Sequence, residues 1–391
     1  MKELINGNPE IVISVIGIGG CGCNTVNMLQ QNNLAEHVNL IAVNTDLAAL
    51  NNLNVPTKIL IGQELTKGYG AGSDPVVGLQ AAQESEALLK NTIKDSDIII
   101  ITAGFGGGTG TGASPYIAQL ARELDVNCLA IVTLPFLTEG TLRTEIALTG
   151  IENIKSSVHA YITLSNDLLL EGLGESIGLL SAFNESNEVL KNLLVSLTQM
   201  LTQTGHVNID KNDFSRILSY EGQSILGVGK ADSEEEAFGA LDQALNNPLV
   251  SIANIESAKG IIIQLFCRNE PKLATYNGLM DHVQRKITNK SVLIVPGFTQ
   301  DENLSSEVVI LIIASGIESS EAVEKHAKND TKLGTIYMNP TDNDLDESQP
   351  IDYLGETLSF VNSINPSSAS EEEAYTDIPA ITRKLREKAS Y

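Results

Sequence analysis

The sequence predicts an α/β protein, with a doubly wound, mostly parallel sheet in its first domain and a smaller α+β second domain. Strand-like and helix-like segments alternate over the first third of the chain, which is typical of βαβ units. The strand-like segments are apolar without alternation, for example IIIIT at 98–102, as expected for strands covered on both faces. A chain of 391 residues is also long enough to bury two cores.

The elements of the first domain, residues 1–182, are expected in strict alternation. Strands are expected at 11–16, 38–46, 96–105 and 127–136. Helices are expected at 24–30, 81–93 and 114–125, where apolar residues recur at helical spacing. In this order, one glycine-rich segment follows the first strand and another follows the third.

A long helix at 183–205 is expected to connect this domain to the second one, residues 206–316. Strands of the second domain are expected at 259–266, 291–298 and 307–316, and helices at 234–246 and 275–287. The mixture of apolar strands and amphipathic helices predicts a small α+β unit.

Beyond residue 316 the composition changes, and no third core is expected. Residues 317–374 carry 13 acidic and 3 basic side chains, which predicts a disordered acidic linker. Residues 375–391 are basic, with Ile378, Ile381 and Leu385 at helical spacing. This pattern fits a docking peptide and a solvated terminus equally well.

Composition and charge exclude several classes of function. The net charge of −24 argues against nucleic-acid binding, which needs a basic surface. The sequence shows no secretory signal and no membrane-spanning apolar run, so we expect a cytoplasmic protein without direct membrane insertion. The four cysteines do not suggest a disulfide framework, and Cys21 and Cys23 lack nearby partners for a protein-held metal site.

The first glycine cluster, GIGGCGCN at 17–24, leaves two interpretations open. Gly17, Gly19 and Gly22 match the dinucleotide fingerprint, and Asp46 after the next strand could bind a ribose. Taken alone, this favours an NAD-dependent oxidoreductase. Any phosphate site between a strand and a helix needs the same glycines, however.

The second cluster, GFGGGTGTG at 104–112, favours a nucleoside triphosphate. It also lies between a strand and a helix, so its backbone N–H groups can converge on an anion, and Thr109 and Thr111 add hydroxyl donors. No lysine or arginine lies between Lys94 and Arg122, which excludes a Walker A loop. Backbone dipoles and a cation, expected to be Mg²⁺ held mainly by phosphates and water, must offset the phosphate charge. A third glycine-rich stretch at 68–75 offers further donors.

A GGGTGTG segment without a P-loop lysine resembles the signature of the tubulin/FtsZ GTPase superfamily, and residues 11–316 resemble the FtsZ family in particular. The resemblance implies a GTPase that binds GTP or GDP. It implies that Phe183 stacks on the guanine and that Asn187 forms hydrogen bonds with the edge of the guanine. It also implies that Glu139 and Arg143 lie around the ribose and the base. The nucleotide contacts that it implies are Gly19, Gly20, Cys21, Gly22, Asn24, Asn44, Asp46, Ala71, Gly72, Gly104, Gly106, Gly107, Gly108, Thr109, Gly110, Glu139, Arg143, Asn166, Phe183 and Asn187.

The catalytic groups implied by the resemblance lie elsewhere. HVNIDKND at 206–213 resembles the family's synergy loop, which approaches the nucleotide of the next subunit, and gives Asn208, Asp210 and Asp213. The protein would then form head-to-tail homopolymers, since its site is completed by another copy. Two features depart from the family: Cys21 and Cys23 replace frequent glycines, and Lys211-Asn212 replaces an apolar–small pair. A divergent FtsZ-like filament protein that binds GTP but hydrolyses it weakly is therefore an alternative.

The tail resembles the family's C-terminal peptide in DIPAITRK, residues 377–384. The resemblance implies that residues 377–388 dock on membrane-tethering division adaptors. It also implies a cytoskeletal role in bacterial cytokinesis, with assembly of the division ring at midcell.

Overall fold

The computed structural model describes residues 4–5, 8–9, 11–31, 38–167, 179–203, 205–220, 223–245, 255–287, 289 and 291–317. The expected acidic linker, apart from residue 317, and the expected docking peptide lie outside these residues. Within them, no helix is long and apolar enough to cross a membrane.

The first domain is built on a sheet of six parallel strands, which confirms the expected doubly wound parallel sheet, although only four of the strands were expected. A two-stranded antiparallel hairpin, β1 (Leu4–Ile5) and β2 (Asn8–Pro9), precedes it. The six strands are β3 (Ile13–Ile18), β4 (Asn39–Asn44), β5 (Thr57–Leu60), β6 (Ile98–Gly104), β7 (Asn127–Leu134) and β8 (Ala160–Ser165). They lie in the order β5-β4-β3-β6-β7-β8, and every neighbouring pair is parallel.

This order contains a topological switch point at the centre of the sheet. From β3 the chain adds β4 and then β5 on one side, and from β6 it adds β7 and β8 on the other. Ligands of open parallel sheets bind in the crevice outside the carboxyl ends of the strands, where the order reverses. The expected crevice therefore lies between the ends of β3 and β6.

Helices cover both faces of this sheet. They are α1 (Gly19–Gln31), α2 (Leu47–Asn51), α3 (Gln63–Thr66), α4 (Pro75–Glu84), α5 (Glu86–Ile93), α6 (Thr109–Glu123) and α7 (Thr141–Lys155). The single helix expected at 81–93 is wrong, because Ser85 separates α4 from α5. The Ser85 hydroxyl oxygen accepts the Gly62 N–H at 3.1 Å, so the break serves the segment that precedes α3.

The apolar run of β6 is explained by burial on both faces. Ile98 and Ile100 belong to one hydrophobic cluster, whereas Ile99 and Ile101 belong to the cluster on the opposite face. All four side chains are completely buried. Alternate side chains of a strand point to opposite faces, so both faces of this strand require apolar residues.

The connecting helix, α8, spans Leu179–Thr202 rather than 183–205. Its residues Leu190, Leu193, Leu194 and Leu197 are buried in a cluster that also contains Leu129 of β7 and residues of the second sheet. At 24 residues, α8 is about 36 Å long. The helix therefore shares one core with both sheets.

The second sheet is mixed and has four strands. They are β9 (Gln223–Ala231), β10 (Gly260–Cys267), β11 (Leu293–Gln300) and β12 (Val308–Ile317), in the order β11-β10-β12-β9. The β10–β11 pair is parallel, and the other two pairs are antiparallel. The helices of this part are α9 (Lys211–Leu218), α10 (Ala237–Leu245) and α11 (Leu273–Lys286). The α+β prediction is confirmed, although β9 was not expected.

Candidate functional site

The two glycine clusters meet at the switch point. Gly19 follows β3 and has φ of +71°, a conformation that glycine adopts without strain. A Cβ placed on Gly19 would lie only 2.9 Å from the Gly110 backbone nitrogen. The two loops therefore touch through their backbones, and a side chain at this point would separate them.

Two helices begin at this contact. The first, α1, starts at Gly19, and α6 starts at Thr109, within the second glycine cluster rather than at 114 as expected. Both are long helices with unpaired N–H groups and positive dipole ends at their first turns. Their convergence at the carboxyl ends of β3 and β6 is suited to an anion with several charges.

The glycines of the site fall into a packed group and an open group. In the packed group, an added Cβ would lie 2.1 to 2.8 Å from a neighbouring atom, so these glycines permit the close approach of loop, helix and strand. These are Gly17, Gly22, Gly104, Gly108 and Gly110. In the open group an added Cβ would meet no atom within 4 Å; at this site these are Gly20, Gly72 and Gly107. The open glycines leave room beside the backbone at this end of the sheet, which fits a phosphate chain.

The loop after β4 is locked to the second glycine cluster. The Asn44 amide oxygen accepts the Thr45 N–H at 2.9 Å, and the hydroxyl oxygens of Thr45 and Thr109 lie 2.7 Å apart. Asp46 is the N-cap of α2, and its Oδ1 accepts the Ala49 N–H at 2.9 Å. One carboxylate oxygen of Asp46 is therefore used inside its own loop. Thr45 was not expected at the site.

The loop at 68–75 packs against the same cluster. A Cβ on Gly108 would lie 2.8 Å from the Asp74 nitrogen and 2.9 Å from the Ala71 Cβ. Asp74 caps α4 by accepting the Val76 N–H at 2.8 Å. Ala71 thus lies beside the second cluster, and Gly72 is the next residue of the same loop.

Thr111 stabilises the second glycine cluster by a hydrogen bond within it. It was expected to add a hydroxyl donor to the site, but its Oγ1 accepts the Gly106 N–H at 3.0 Å and its side chain is buried. Its hydroxyl therefore holds the loop in shape.

Glu139 and Arg143 lie after β7 and form an ion pair with each other. The Glu139 carboxylate also accepts the Phe136 N–H at 2.9 Å. The Arg143 side chain is 47% exposed, and its carbonyl oxygen would lie 2.9 Å from a Cβ on Gly106. Both residues therefore lie beside the second glycine cluster.

Asn166 follows β8 and contacts the connecting helix. The Ser186 hydroxyl donates to its amide oxygen at 2.7 Å, and Asn166 is buried. Asn187 is the next residue of α8 and is half-buried. Phe183 belongs to the same helix, but its side chain lies outside the described part of the chain. Ser186 was not expected, because an isolated serine carries no pattern.

The two cysteines of the first loop point in different directions. Cys23 is buried, and its thiol contacts the carbonyl oxygens of Gly17 and Val43. Cys21 faces β7, with its sulfur 3.5 Å from the Thr133 hydroxyl oxygen. Burial raises the pKa of both thiols, that of Cys23 to about 12. Both are therefore neutral at pH 7 and add no negative charge where a phosphate would bind.

The three expected catalytic residues lie far from the glycine loops. Asp210 caps α9 by accepting the Asp213 N–H at 2.8 Å, and the Asn208 amide oxygen accepts the Gly205 N–H at 2.6 Å. The Lys211 ammonium lies 3.0 Å from Asp97 Oδ1, directly before β6. The glycine cluster begins at the other end of β6, seven residues on, or roughly 23 Å away at 3.3 Å per residue. The chain therefore does not bring its own acids to its own glycine loops.

Within the described residues, no group of three or more His, Cys, Asp or Glu side chains could hold a metal ion. The residues present fit a cation only as part of a metal–phosphate complex, which the backbone N–H groups and helix ends described above would hold through its phosphate oxygens.

Comparison with known families gives two separate matches. Residues 12–174 match the Tubulin/FtsZ family, GTPase domain, and residues 222–318 match the FtsZ family, C-terminal domain. The first match contains the six-stranded sheet, and the second contains the mixed sheet.

Similar proteins cover nearly the whole chain. The cell division protein FtsZ of Buchnera aphidicola is 33% identical over 385 residues, which are 98% of this chain and 99% of that protein. The cell division protein FtsZ 1 of Thermococcus kodakarensis is 35% identical over 89% of this chain and 91% of that protein.

Solved structures agree with these relatives. The empty FtsZ dimer of M. jannaschii has a TM-score of 0.73 and 35% identity, over 78% of this chain and 88% of that one. CetZ2 from Haloferax volcanii, solved as a GTPgS-bound protofilament, has a TM-score of 0.68 at 21% identity, over 82% of this chain and 97% of that one. At that identity the likeness to CetZ2 shows the fold alone.

Proposed function

This chain belongs to the FtsZ family, a family of GTPases and cell division proteins, and from that membership we propose an assembly-dependent mechanism of GTP hydrolysis. In this mechanism the protein polymerises head to tail. Each hydrolysis site joins the glycine loops of one subunit to Asn208, Asp210 and Asp213 of the next.

Membership in a GTPase family leaves the NAD-dependent oxidoreductase without support. That alternative depended on Asp46 as a ribose-binding acid, but one oxygen of this carboxylate caps α2. A second phosphate loop after β6, in contact with the first, suits a longer phosphate chain than a dinucleotide carries.

The observation that carries the proposal is the position of the acids at the opposite edge of the sheet. Asp97, which contacts the loop through Lys211, precedes β6, whereas Gly104 ends it. The acid loop, residues 205–213, lies at the amino ends of the strands, and the glycine loops, which form the phosphate cradle, lie at their carboxyl ends. These two surfaces are complementary in a head-to-tail contact, which is heterologous and produces open filaments. The M. jannaschii relative, which was solved as a dimer, agrees with contact between subunits.

The binding part of the site would hold GTP through three groups of residues. The backbone N–H groups at the starts of α1 and α6 would bind the phosphates. Glu139 and Arg143 would lie around the ribose and base. Asn187 would form hydrogen bonds with the guanine edge, and Phe183 would stack on the guanine ring. Mg²⁺ would be held mainly by phosphates and water, and when bound it would neutralise phosphate charge.

The acids would position the attacking water. Asp210 Oδ1 is fixed by the Asp213 N–H, and Asp210 is exposed, so its carboxylate can accept a hydrogen bond from a water on a neighbouring nucleotide. Asp213 lies one turn further on and is half-buried. A carboxylate that orients a water, and accepts its proton as attack proceeds, promotes phosphoryl transfer chiefly by positioning. Asn208 has its amide fixed by the Gly205 N–H, and would orient the same water.

Steady-state GTP hydrolysis at increasing protein concentration tests this mechanism. The rate per molecule should be near zero below a threshold concentration and rise above it. Asp213→Ala should keep GTP affinity and lose at least about a hundredfold in turnover, as expected for a group that positions the nucleophile. Asp281→Ala, which removes an exposed acid of α11, is the matched control and should hydrolyse GTP normally. A rate per molecule that is independent of concentration would rule out the assembled site.

The position of Lys211 in the sequence raises a second candidate, a filament protein that hydrolyses GTP weakly. Lys211 places a cation between the two acids in sequence, where a positive charge can bind a carboxylate needed for the water. Its ammonium contacts Asp97 instead, which favours the active form. Hydrolysis of a single GTP per subunit in preformed polymer separates the two: completion within seconds supports the active enzyme, and completion over hours supports the weak one.

The tail completes the proposed role in division. Residues 377–388 would dock on membrane-tethering adaptors and recruit cytoplasmic filaments to a midcell ring. A chain that ends at residue 374 and still forms such a ring would contradict this assignment.

A further inference from the structure

Lys211 occupies an unfavourable place for a cation. It is the first residue of α9, next to the N-cap Asp210, and a helix N-terminus disfavours positive charge. The side chain is 38% exposed, and its ammonium contacts Asp97 Oδ1 at 3.0 Å. The charge is therefore directed onto the six-stranded sheet, away from the acids beside it.

Asp97 is a rigid partner. Its Oδ2 accepts the Val12 N–H at 3.0 Å, and its own N–H donates to the Val12 carbonyl at 2.8 Å. Its side chain is only 12% exposed. Because Val12 and Asp97 immediately precede β3 and β6, the carboxylate is fixed to the two strands that carry the glycine loops.

The other anchors of the acid loop lead to the second sheet. Val207 and Phe298 of β11 exchange two backbone hydrogen bonds, at 3.1 and 2.9 Å, and the His206 and Phe298 rings stack at 5.6 Å. Among the ion pairs of the described residues, Lys211–Asp97 is the one that joins the loop at 205–213 to the six-stranded sheet. Removing it would leave the loop joined to the six-stranded sheet only through the apolar cluster that contains Ile209, Ile13 and Ile98.

We propose that Lys211 is a positioning residue for GTP hydrolysis: its ion pair with Asp97 fixes the first turn of α9, and with it Asp210 and Asp213, relative to the glycine-loop sheet. The inference rests on the proposed function, since it assigns these acids to the next subunit's nucleotide. Lys211, at which the sequence departs from the family pattern, would thus align Asp210 and Asp213 with the six-stranded sheet. Lys211 itself need not touch GTP or water.

The test compares Lys211→Met with Lys286→Met. Lys286 has nearly the same exposure, 34%, and the same kind of ion pair, 3.1 Å from Asp242, but lies on α11 and does not contact the loop. GTP turnover is measured per assembled subunit, with polymer quantified by sedimentation. Lys211→Met should lower turnover about tenfold, less than the roughly hundredfold cost of a full ångström of misplacement. Its KM for GTP and its assembly threshold should stay unchanged.

Rescue separates positioning from general stability. Lys211→Arg keeps the ion pair and should recover most of the turnover, while Lys286→Met should behave as wild type. Asp97→Asn should lower turnover like Lys211→Met, and the double variant should be no worse than either single one, because both remove the same contact. Equal turnover in Lys211→Met and Lys286→Met, or a loss that only follows the amount of polymer, would overturn the proposal.

Hydrogen exchange keeps the inference independent of activity. In unassembled, GDP-loaded protein, the amides of residues 210–213 should exchange faster in Lys211→Met than in wild type. In Lys286→Met they should exchange at the wild-type rate. Unchanged exchange would refute the anchoring role. A wild type that does not hydrolyse GTP would instead refute the proposed function, and the exchange result would still decide whether Lys211 anchors the loop.

Discussion

Single glycines decide how closely the phosphate loops approach one another and how much room they leave. Gly110 is packed, since a Cβ there would lie 2.6 Å from the Gly104 carbonyl oxygen, whereas Gly107 faces open space. The first kind of glycine is required by the fold. The second kind leaves open space, since no described atom lies within 4 Å of an added Cβ, and this fits our proposal that the phosphates lie there.

Gly107→Ala should therefore weaken GTP binding without unfolding the protein. Its φ is not positive, and the new methyl would meet no protein atom within 4 Å, but it would occupy the space proposed for the phosphates. We expect about tenfold weaker binding, or about 1.4 kcal/mol, with an unchanged melting temperature in the absence of nucleotide. Titration with a fluorescent GTP analogue and thermal unfolding measure the two effects.

Gly239→Ala is the matched control for this change. Gly239 also has no atom within 4 Å of an added Cβ, but it lies on α10, in the second domain. This variant should bind GTP as wild type does. Equal affinity in both variants would show that the open space beside Gly107 does not hold the phosphates.

The residue types of the site could be predicted from the sequence, but their orientations could not. The glycine clusters, and the strands before them, indicated a phosphate site. Nothing in the spacing showed that Cys23 packs into the core while Cys21 faces Thr133, or that Thr111 supports the loop. The direction of a side chain depends on where its helix begins, and α1 begins inside the glycine cluster.

At the scale of elements, glycine also explains why the strand β9 was missed. β9 contains Gly227 and Gly229, and added Cβ atoms would lie 1.9 and 1.8 Å from the carbonyl oxygens of Ala244 and Ala240 on α10. Glycine in a strand often marks a bulge or a loop, so the local pattern argued against a strand. Here tertiary packing requires it, because the helix lies directly on the strand.

The start of α6 shows a similar limit. A helix from 114 was expected, since proline favours the first turn of a helix and Pro115 would occupy it. In the structure Pro115 lies inside α6, which begins at Thr109. A Cβ on Gly112 would lie 2.0 Å from the Pro75 carbonyl oxygen. The glycines of this first turn therefore allow α4 to pack closely on α6, a contact that local propensity does not reveal.

The pairing of β7 with the segment before β8 should depend on pH through His159. The Cys128 N–H donates to His159 Nδ1 at 3.0 Å, which requires the neutral ring. Burial, and then the charge of Arg122, lower the pKa of His159 below its ordinary value of 6.5. Since the unfolded chain binds a proton more readily, this contribution to stability is fully present above about pH 6.5 and is lost as the pH falls below it.

Urea unfolding across this range measures the effect. Between about pH 7.5 and 5.5, the free energy of unfolding of wild type should fall more steeply than that of His159→Asn, by at most about 1.4 kcal/mol per pH unit for one proton. Asparagine can accept the same N–H but does not titrate in this range. Parallel pH dependences in the two proteins would contradict this role for His159.

At the scale of the whole molecule, the proposed mechanism gives each subunit two half-sites, because the glycine loops and the acids lie at opposite ends of β6. Association must also overcome the repulsion between chains of net charge −24. The glycine-loop domain and the four central strands of its sheet could be predicted from strand–helix alternation, but the edge strands β5 and β8 could not. The distance between the glycine loops and the acids could not be predicted. It depends on how α8 and α9 return the chain to the amino ends of the strands.

Two variants that are impaired in different parts of the site should complement one another if the site is shared between subunits, at a GTP concentration low enough for Gly107→Ala to bind little nucleotide. Asp213→Ala retains the cradle and Gly107→Ala retains the acids, so a GTP-loaded Asp213→Ala subunit can receive the acids of a Gly107→Ala subunit. Turnover of the equimolar mixture should exceed the sum of the separate rates, measured at equal total concentration. A mixture that only reaches this sum would place the complete site within one chain.

In the proposed filament, the separation across β6 would make the two ends chemically unequal. At one end the last cradle would be open, so its nucleotide could exchange with the solution but would have no acids to hydrolyse it. At the other end the acids would face solvent with no nucleotide to act on. Only interior nucleotide would be both enclosed and hydrolysed, so GTP or GDP would record the age of each subunit in the polymer. Such a filament would have a direction, and would gain and lose subunits by different chemistry at its two tips.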